Sequence, residues 1–416
     1  MTSMSCHGLC GTPVLGAMGT LKGSSLMRPV LFALFLVAAG ASLSAADTYT
    51  DAVSAVHRED YDLAARLFLP LAEQGQTGAQ SFLGALYANG QGLPQSYEEA
   101  WRWYRRAALQ GDAAAQFHLA VLYANGQGVS QSYEKAGQWY RRAADHGVAA
   151  AQHQLGVLYA NGQGVPQSYD DAVLWCRRAA QQGEAGAQFH LGVFYANGQG
   201  VPQSDEEAIQ WYRRAAEQGH ARAQSHLGVM YARGQGLPKD YRMAIQWYKR
   251  AAQQEDALAQ FQLGVLYANG YGVPQSYEAA VQWYRRAADQ GDAVAQFNLG
   301  VRYDNGQGVP QNYEEAARWY RLAAQQGQAR AQSNLGVLYA NGQGVPKDLI
   351  RAYMWLTVAV AGSNGDDVNQ AIKNQTTLAS DMTAEQIEQA QEMARRCQDT
   401  QFVQCEEKIQ VPGVLP

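Results

Sequence analysis

Charge and cysteine are both scarce in this 416-residue chain. Charged residues make up 17% of it and the formal charge is only -5, so no excess of either sign points to a nucleic acid or an anionic membrane surface as partner. A hydrophobic content of 47% nevertheless fits a folded chain and not a disordered one. The five cysteines do not make a disulfide framework: Cys6 and Cys10 lie in the N-terminal extension, Cys397 and Cys405 could close one small loop in an oxidising compartment, and Cys176 stays single. The apolar stretch over residues 30–41 is too short for a comfortable membrane span. With Arg28 ahead of it, and Ser44 and Ala46 before Asp47, it has the layout of a secretory signal peptide cleaved after Ala46, the alternative being an uncleaved N-terminal anchor. A periplasmic or secreted location is therefore expected, with no stable membrane span after cleavage. Residues 1–26 show no helix or strand pattern, and Met27 is an alternative start.

What the sequence has in abundance is repetition. An Ala-Gln pair places its glutamine at Gln80, Gln116, Gln152, Gln188, Gln224, Gln260, Gln296 and Gln332, every 36 residues without an insertion. A fixed period of this size means stacked supersecondary units. In the copy "AAAQHQLGVLYANG", Ala151, Leu155, Leu158 and Tyr159 recur at helical spacing and Asn161-Gly162 ends the helix. This is helix A. Pro166 in the loop cannot continue it, and Val165 is placed to plug the turn. Helix B opens with a cap: Ser96 with Glu99 three residues on reads as a capping box, and Ser132, Ser168, Ser204, Asp240, Ser276, Asn312 and Asp348 hold the same slot. Along helix B, Ala100, Trp103 and Ala107 make an inward stripe. The tryptophan of every repeat (Trp103, Trp139, Trp175, Trp211, Trp247, Trp283, Trp319 and Trp355) is read as core, because an isolated helix pair buries its apolar face only against its neighbours. Gly84, Gly156, Gly192, Gly228, Gly264, Gly300 and Gly336 share one helix A slot, in which the second copy has Ala120. A helical glycine costs up to about 1 kcal/mol against alanine, so the slot is read as a close packing contact.

These residues resemble the signature of the Sel-one-like repeat (SLR) family, relatives of tetratricopeptide repeats: "A-x-A-Q-x-x-L-G-x-L-Y-x-x-G-x-G-V-x-x-(S/D)-x-x-x-A-x-x-W-Y-x-x-A-A" stands almost letter for letter across residues 77–361. The resemblance implies an all-α fold, a right-handed α-solenoid of stacked helix-turn-helix repeats, with no cofactor and a role as adaptor or scaffold. For exported bacterial members it implies host contact, envelope assembly or signalling. The chain is thereby divided into residues 1–46, the extension and leader; 47–76, capping helices; 77–361, eight repeats; and 362–416, a capping helix and tail. Near the end Tyr353, Met354, Leu356 and Val360 make a helix apolar nearly all round, which needs cover. The helix "TAEQIEQAQEMARRC", boxed by Thr383 and Gln386, is the expected cover.

A reaction centre would have to break the repeat. His118, His190 and His226 share one slot with His153 one residue before it, and neighbouring helices about 8 to 10 Å apart hold such histidines side by side instead of around one ion, so no metal site is expected. Ser132 and Lys135 match the S-x-x-K of penicillin-binding enzymes, but Ser132 fills the cap slot and neither K-T-G nor S-D-N accompanies it. The arginine pairs, Arg105-Arg106 through Arg285-Arg286, face acidic residues at the helix B starts and are read as a solvated face laced with ion pairs. The residues after each glutamine vary: Phe117, His153, Phe189, Ser225, Phe261, Phe297 and Ser333, followed by His118, Gln154, His190, His226, Gln262, Asn298 and Asn334. Slots that stacking leaves free can carry specificity. The expected partner site is therefore the concave helix A face, holding a protein or peptide through Phe117, His118, His153, Phe189, His190, His226, Phe261, Phe297 and Asn298; the alternative is that the phenylalanines pack between layers. The competing functional class is an envelope enzyme acting on peptidoglycan or a β-lactam. Purified protein incubated with a fluorescent penicillin is expected to remain unlabelled; a label that disappears in Ser132→Ala would establish that class instead.

Overall fold

The computed structural model describes residues 44–362, 365–402 and 405. The expected leader lies outside the described residues up to position 43, and its cleavage point falls in the first turn of the first helix. That helix, α1 (Ala45–His57), pairs with α2 (Tyr61–Glu73). Eight A/B pairs follow: α3 (Thr77–Asn89) with α4 (Tyr97–Leu109), α5 (Ala113–Asn125) with α6 (Tyr133–Asp145), α7 (Ala149–Asn161) with α8 (Tyr169–Gln181), α9 (Ala185–Asn197) with α10 (Asp205–Glu217), α11 (Ala221–Arg233) with α12 (Tyr241–Ala252), α13 (Ala257–Asn269) with α14 (Tyr277–Asp289), α15 (Ala293–Asn305) with α16 (Tyr313–Gln325), and α17 (Ala329–Asn341) with α18 (Leu349–Gly362). Two further helices, α19 (Asp366–Ala379) and α20 (Ala384–Asp399), end the chain's regular structure. Among the described residues every element is helical, as the repeat period requires. The chain divides into two compact units, one reaching Ala187 and including Gln199–Val201, the other made of Gln188–Gly198 and everything from Pro202 on.

Local chemistry fixes the helix ends. Ser96, Ser132, Ser168, Ser204, Ser276 and Asn312 each accept the backbone N–H three residues on, Asp240 accepts those two and three residues on, and Asp348 accepts that of Arg351. The box expected at Ser96 is only half made, because the Glu99 carboxylate turns to Arg102 at 2.7 Å. The box of Thr383 and Gln386 is complete. At the other end, a left-handed glycine such as Gly126 (φ 68°) or Gly162 (φ 66°) closes helix A, a conformation glycine enters without strain.

The helical glycine slot is an aromatic seat. A Cβ on Gly84 would lie 2.8 Å from Cδ1 of Tyr104, and one on Gly264 would lie 2.5 Å from Cδ1 of Tyr284. The ring of helix B thus rests on the bare backbone of helix A in the same repeat, and Tyr248, Tyr284 and Tyr320 are almost fully buried there. Burial raises the phenol of Tyr284 to about 12 and pushes those of Tyr104, Tyr140 and Tyr248 higher. In the third repeat Cys176 takes the place of the ring against Gly156, and burial likewise raises its thiol to about 12, disfavouring the nucleophilic thiolate form.

Two interactions join one repeat to the next. The amide nitrogen of the recurrent buried glutamine donates to a carbonyl at the end of the preceding helix B: Gln80 to Ala72 (3.0 Å), Gln116 to Ala108 (3.2 Å) and Gln152 to Ala144 (3.1 Å) in the first unit, Gln224 to Ala216 (3.0 Å), Gln296 to Ala288 (3.1 Å) and Gln332 to Ala324 (3.0 Å) in the second. Its oxygen accepts from the residue that caps helix B of its own repeat: Gln110 to Gln80, Gln182 to Gln152, Gln218 to Gln188, and Gln326 to Gln296, all at 2.8 Å. The second interaction is carried by the arginine pairs, and here the expected ion-pair face is corrected in part: Arg286 pairs with Glu255 at 2.8 Å, but the recurrent contacts are aromatic. The second arginine lies over the tryptophan one turn back, Arg106 over Trp103 at 4.5 Å and Arg142 over Trp139 at 4.4 Å. The first reaches into the next repeat, Arg141 donating to the Tyr159 hydroxyl at 2.6 Å and Arg321 to that of Tyr339 at 2.9 Å. Acidic residues at helix B starts pair with other arginines, Arg102 with Glu98 and Arg318 with Glu315. The tryptophans beneath are core: Trp103, Trp175, Trp247, Trp319 and Trp355 are buried, and Trp139, Trp211 and Trp283 half-buried.

At the C-terminal end, Tyr353, Met354, Leu356 and Val358 of α18 are covered by Ala390, Met393, Ala394 and Cys397 of α20, as expected, and also by Leu378 of α19, a helix the sequence reading did not separate from the tail. Cys397 and Cys405 are disulfide-bonded. The ladder ends here too. Position 362, where the next capping glutamine would stand, is glycine, and the buried Gln332 oxygen has no hydrogen-bond partner, while a Cβ on Gly362 would lie 3.8 Å from it.

A buried polar group left unpaired costs about 1–3 kcal/mol. Gln224→Met removes two hydrogen bonds, one to the Ala216 carbonyl, which keeps the Gly219 N–H at 3.0 Å, and one from the Gln254 amide, and is expected to lower stability by about 1–3 kcal/mol, against about 0.5–1.5 kcal/mol for Gln332→Met, which breaks one bond. Urea unfolding with hydrogen exchange at the α10–α11 junction measures the difference; equal losses would remove the ladder's energetic role. Conversely, Gly362→Gln is expected to raise stability by about 1 kcal/mol by removing a helical glycine and supplying the missing donor, a gain visible in the same titration.

Candidate functional site

Once the seat, the clasp and the arginine stacks have taken their residues, helix A keeps one stripe for solvent. On α5 it runs through Ala114, His118, Val121 and Asn125, at spacings of four, three and four residues that put them on one face, with His118 and Asn125 exposed. Its second row reads Phe82, His118, Gln154, His190, His226, Gln262, Asn298 and Asn334 from repeat to repeat. Helices α3, α5, α7, α9 and α13 contain no Asp, Glu, Lys or Arg at all. Neighbouring A helices touch directly, α3 with α5 and α11 with α13.

The nine expected binding residues separate into two groups. His118 is exposed, its ring 5.1 Å from that of Tyr104 and nearly parallel to it; burial of its inner edge holds its pKa below the usual histidine value, against the Asp112 charge, which raises it. Asn298 is half-buried and donates to the Val294 carbonyl at 2.8 Å. His190 and His226 are half-buried on the same row, and burial lowers the His226 pKa, with Asp256 opposing and Arg222 assisting. These four face the stripe. His153 is half-buried with Nδ1 3.9 Å from the Glu184 carboxylate, its ring filling the space that the absent side chain of Gly186 leaves.

The phenylalanines belong to the layers between helices. Phe189 and Phe297 are only 4% and 7% exposed, so they are corrected from partner-contacting to core positions. Phe261 and Phe117 are half-buried. Each packs on the tyrosine of its own repeat, Phe117 on Tyr140 (5.9 Å), Phe189 on Tyr212 (5.8 Å), Phe261 on Tyr284 (5.9 Å) and Phe297 on Tyr320 (6.0 Å). Where the slot holds serine instead, the hydroxyl caps the stack: Ser81 donates to Asp112 (3.2 Å) and Ser225 to Asp256 (2.6 Å). The slot directly after the glutamine is thus used by stacking, and only the next one faces outward. Of the expected residues the structure brings together Phe189, His190 and His226, and adds His220, which sequence reading passed over; the signal was its position, since Asp112, Asp256 and Asp292 hold the same slot in other repeats.

The Ser132-Lys135 pair has no nucleophile geometry. The Ser132 oxygen accepts the Lys135 backbone N–H at 3.3 Å, and the Lys135 ammonium lies 5.4 Å from the centre of the Tyr123 ring. Among the described residues no group of three His, Cys, Asp or Glu side chains is arranged to hold a metal ion, and no described helix is long and apolar enough to cross a membrane.

Comparison with known proteins agrees with this anatomy. The family model of the Sel1 repeat matches eight times in succession, at residues 77–112, 113–148, 149–184, 185–220, 221–256, 257–292, 293–328 and 329–364. Similar solved structures include a protective antigen present in uropathogenic Escherichia coli strains and displaying an SLR fold, 28% identical over 90% of this chain and 96% of that one with a TM-score of 0.55. A Sel1 repeat protein from Oxalobacter formigenes is 34% identical over 74% of this chain and 89% of its own, with a TM-score of 0.56. No curated protein matches the sequence. With a 36-residue hairpin recurring eight times, each copy matched and clasped to a neighbour, the chain belongs to the Sel1 repeat family, whose members are generally non-catalytic protein-interaction scaffolds.

Proposed function

We propose that the outward stripe of the A helices is the concave docking face of an adaptor of the bacterial envelope, receiving an extended segment of a partner protein. The observation that carries this reading is the row of His118, His190, His226, Asn298 and their amide counterparts. Its residues differ from repeat to repeat while the glutamine ladder beneath them recurs, and they offer hydrogen bonds with almost no charge. Imidazole and carboxamide groups pair with a peptide backbone in either polarity, and a row of them along one unit suits a chain laid on it. Contact between successive A helices supports their being on the inner side. The leader-like segment over residues 28–46 and the likeness to a protein described as a protective antigen support an exported, periplasmic or secreted location.

Capture by the purified mature chain tests the face. His118→Asp with Gln262→Asp and Asn298→Asp is expected to weaken retention of the captured partner at least about tenfold, roughly 1.4 kcal/mol, without changing the melting temperature by more than a few degrees. Gln138→Asp with Gln210→Asp and Gln282→Asp, at exposed helix B positions, is expected to leave capture intact. Equal loss in both sets, or loss in neither, would remove the helix A assignment.

A further inference from the structure

The fourth and fifth repeats hold a cluster found in no other described part of the chain. Three imidazoles surround the buried ring of Phe189: His220 stacked on it at 4.9 Å, His190 at 5.4 Å and His226 at 5.4 Å, both edge-on. Tyr212 of α10 closes the remaining side, 5.8 Å from Phe189 and 5.2 Å from His226. His220 also has a second task. It is the N-cap of α11, and its Nδ1 accepts the backbone N–H of Ala223 at 3.2 Å. Asp112, Asp256 and Asp292 do this for α5, α13 and α15 with a carboxylate, which stays an acceptor through the mildly acidic range. An imidazole accepts at Nδ1 only while that nitrogen carries no proton.

We propose that this cluster is an acid-sensitive joint: proton uptake by His220 removes the cap of α11 and puts like charge around the Phe189 ring, loosening the start of the fifth repeat while the other repeats of that unit hold. The groups facing His220 are His190 from α9, Arg222 and His226 from α11, and Asp256 at the start of α13, with the Tyr212 ring from α10 beside them. Of these, His190, Arg222 and His226 oppose a positive charge on His220 and Asp256 favours it, while burial opposes it most; together they lower its pKa to about 4. Asp256 is in part committed, since its carboxylate already accepts from Ser225 (2.6 Å) and from the Ala223-equivalent N–H of Ala259 (2.8 Å). The sign follows from linkage. A histidine with a depressed folded value binds its proton more readily in the opened segment, so the local fold is at full strength above about pH 6.5 and loses stability as the pH falls from there toward 4.

Hydrogen exchange on the full chain, with rates corrected for the intrinsic pH dependence, reads this directly. Between pH 7.5 and 5.0 the segment 219–228 is expected to lose protection at least tenfold, and segments 257–266, capped by the Asp256 carboxylate, and 329–338, whose N-cap Gln328 makes no side-chain hydrogen bond, much less. His220→Asp, which installs the cap of the neighbouring repeats, should remove most of that loss. His190→Gln with His226→Asn, residues found in the same row at Gln154 and Asn298, should remove part of the remainder. A wild-type loss spread evenly over all repeats, or one that persists in His220→Asp, overturns the joint. The measurement needs no partner, so its failure leaves the docking-face reading untouched; if that reading holds, the joint makes grip on a partner weaker in acid.

Discussion

The interaction on which the rest of the structure depends is a buried carboxamide that faces two ways. Within each unit the recurrent glutamine gives its N–H to the last turn of the helix before it and, except at Gln332, meets the cap of the helix after it, so one side chain ties three helices. Away from water both bonds count for more than they would in solvent. Apolar surface holds the helices together, but it is indifferent to small slips along the axis. A two-way hydrogen bond is not, and it fixes how far each hairpin slides against the next. This accounts for the unbroken 36-residue spacing better than the tryptophans do: Trp139, Trp211 and Trp283 are only half-buried, whereas every glutamine of the ladder is buried.

Around that tie the remaining recurrent residues fall into place as consequences. For the carboxamide to reach the preceding helix, helices A and B of one repeat must approach closely, and the tyrosine ring lying on a glycine backbone is how they do so. A similar approach recurs in the loops, where a Cβ on Gly128 would fall 2.3 Å from the Tyr97 carbonyl carbon. Arginines then cover the edges, over one indole and hydrogen-bonded to the next phenol, so that their stems shield the aromatic rows.

How much of this could be read in the letters depended on sequence distance. Caps, left-handed glycines and the glycine slot are settled within a turn or a hairpin, and Ser96, Gly162 and Gly84 were legible because only a few residue types satisfy those geometries. The cover on α18 was legible from its excess of apolar surface, though α19 was not, since "DDVNQAIKNQTTLA" has few apolar residues and earns its place through Leu378 and its neighbours. Contacts between repeats misled. Acidic and basic residues on one helix invite pairing, yet the arginines prefer the indoles they already lie beside and the phenol 18 residues on. Phe189 and Phe297 read as groove residues because their slot varies. It varies because phenylalanine and serine solve the same stacking problem in two ways, one by filling the layer and one by bonding to the next cap.

That distinction bears on where function can reside in such a chain. Stability in a stack of repeats is close to a sum of each hairpin and its contacts with immediate neighbours, so a departure in one repeat is felt one or two repeats away and no further. A replaced cap such as His220, or a ladder end such as Gln332, therefore changes a local property and leaves the frame intact. The constancy of the buried glutamines and the freedom of the outward row are two sides of one arrangement: the tighter the ladder fixes the backbone, the more the exposed side chains can differ without cost, and the more securely each is held where a partner would meet it. Recurrence in this protein marks the frame, and departures from it mark the places where one repeat can be told from another.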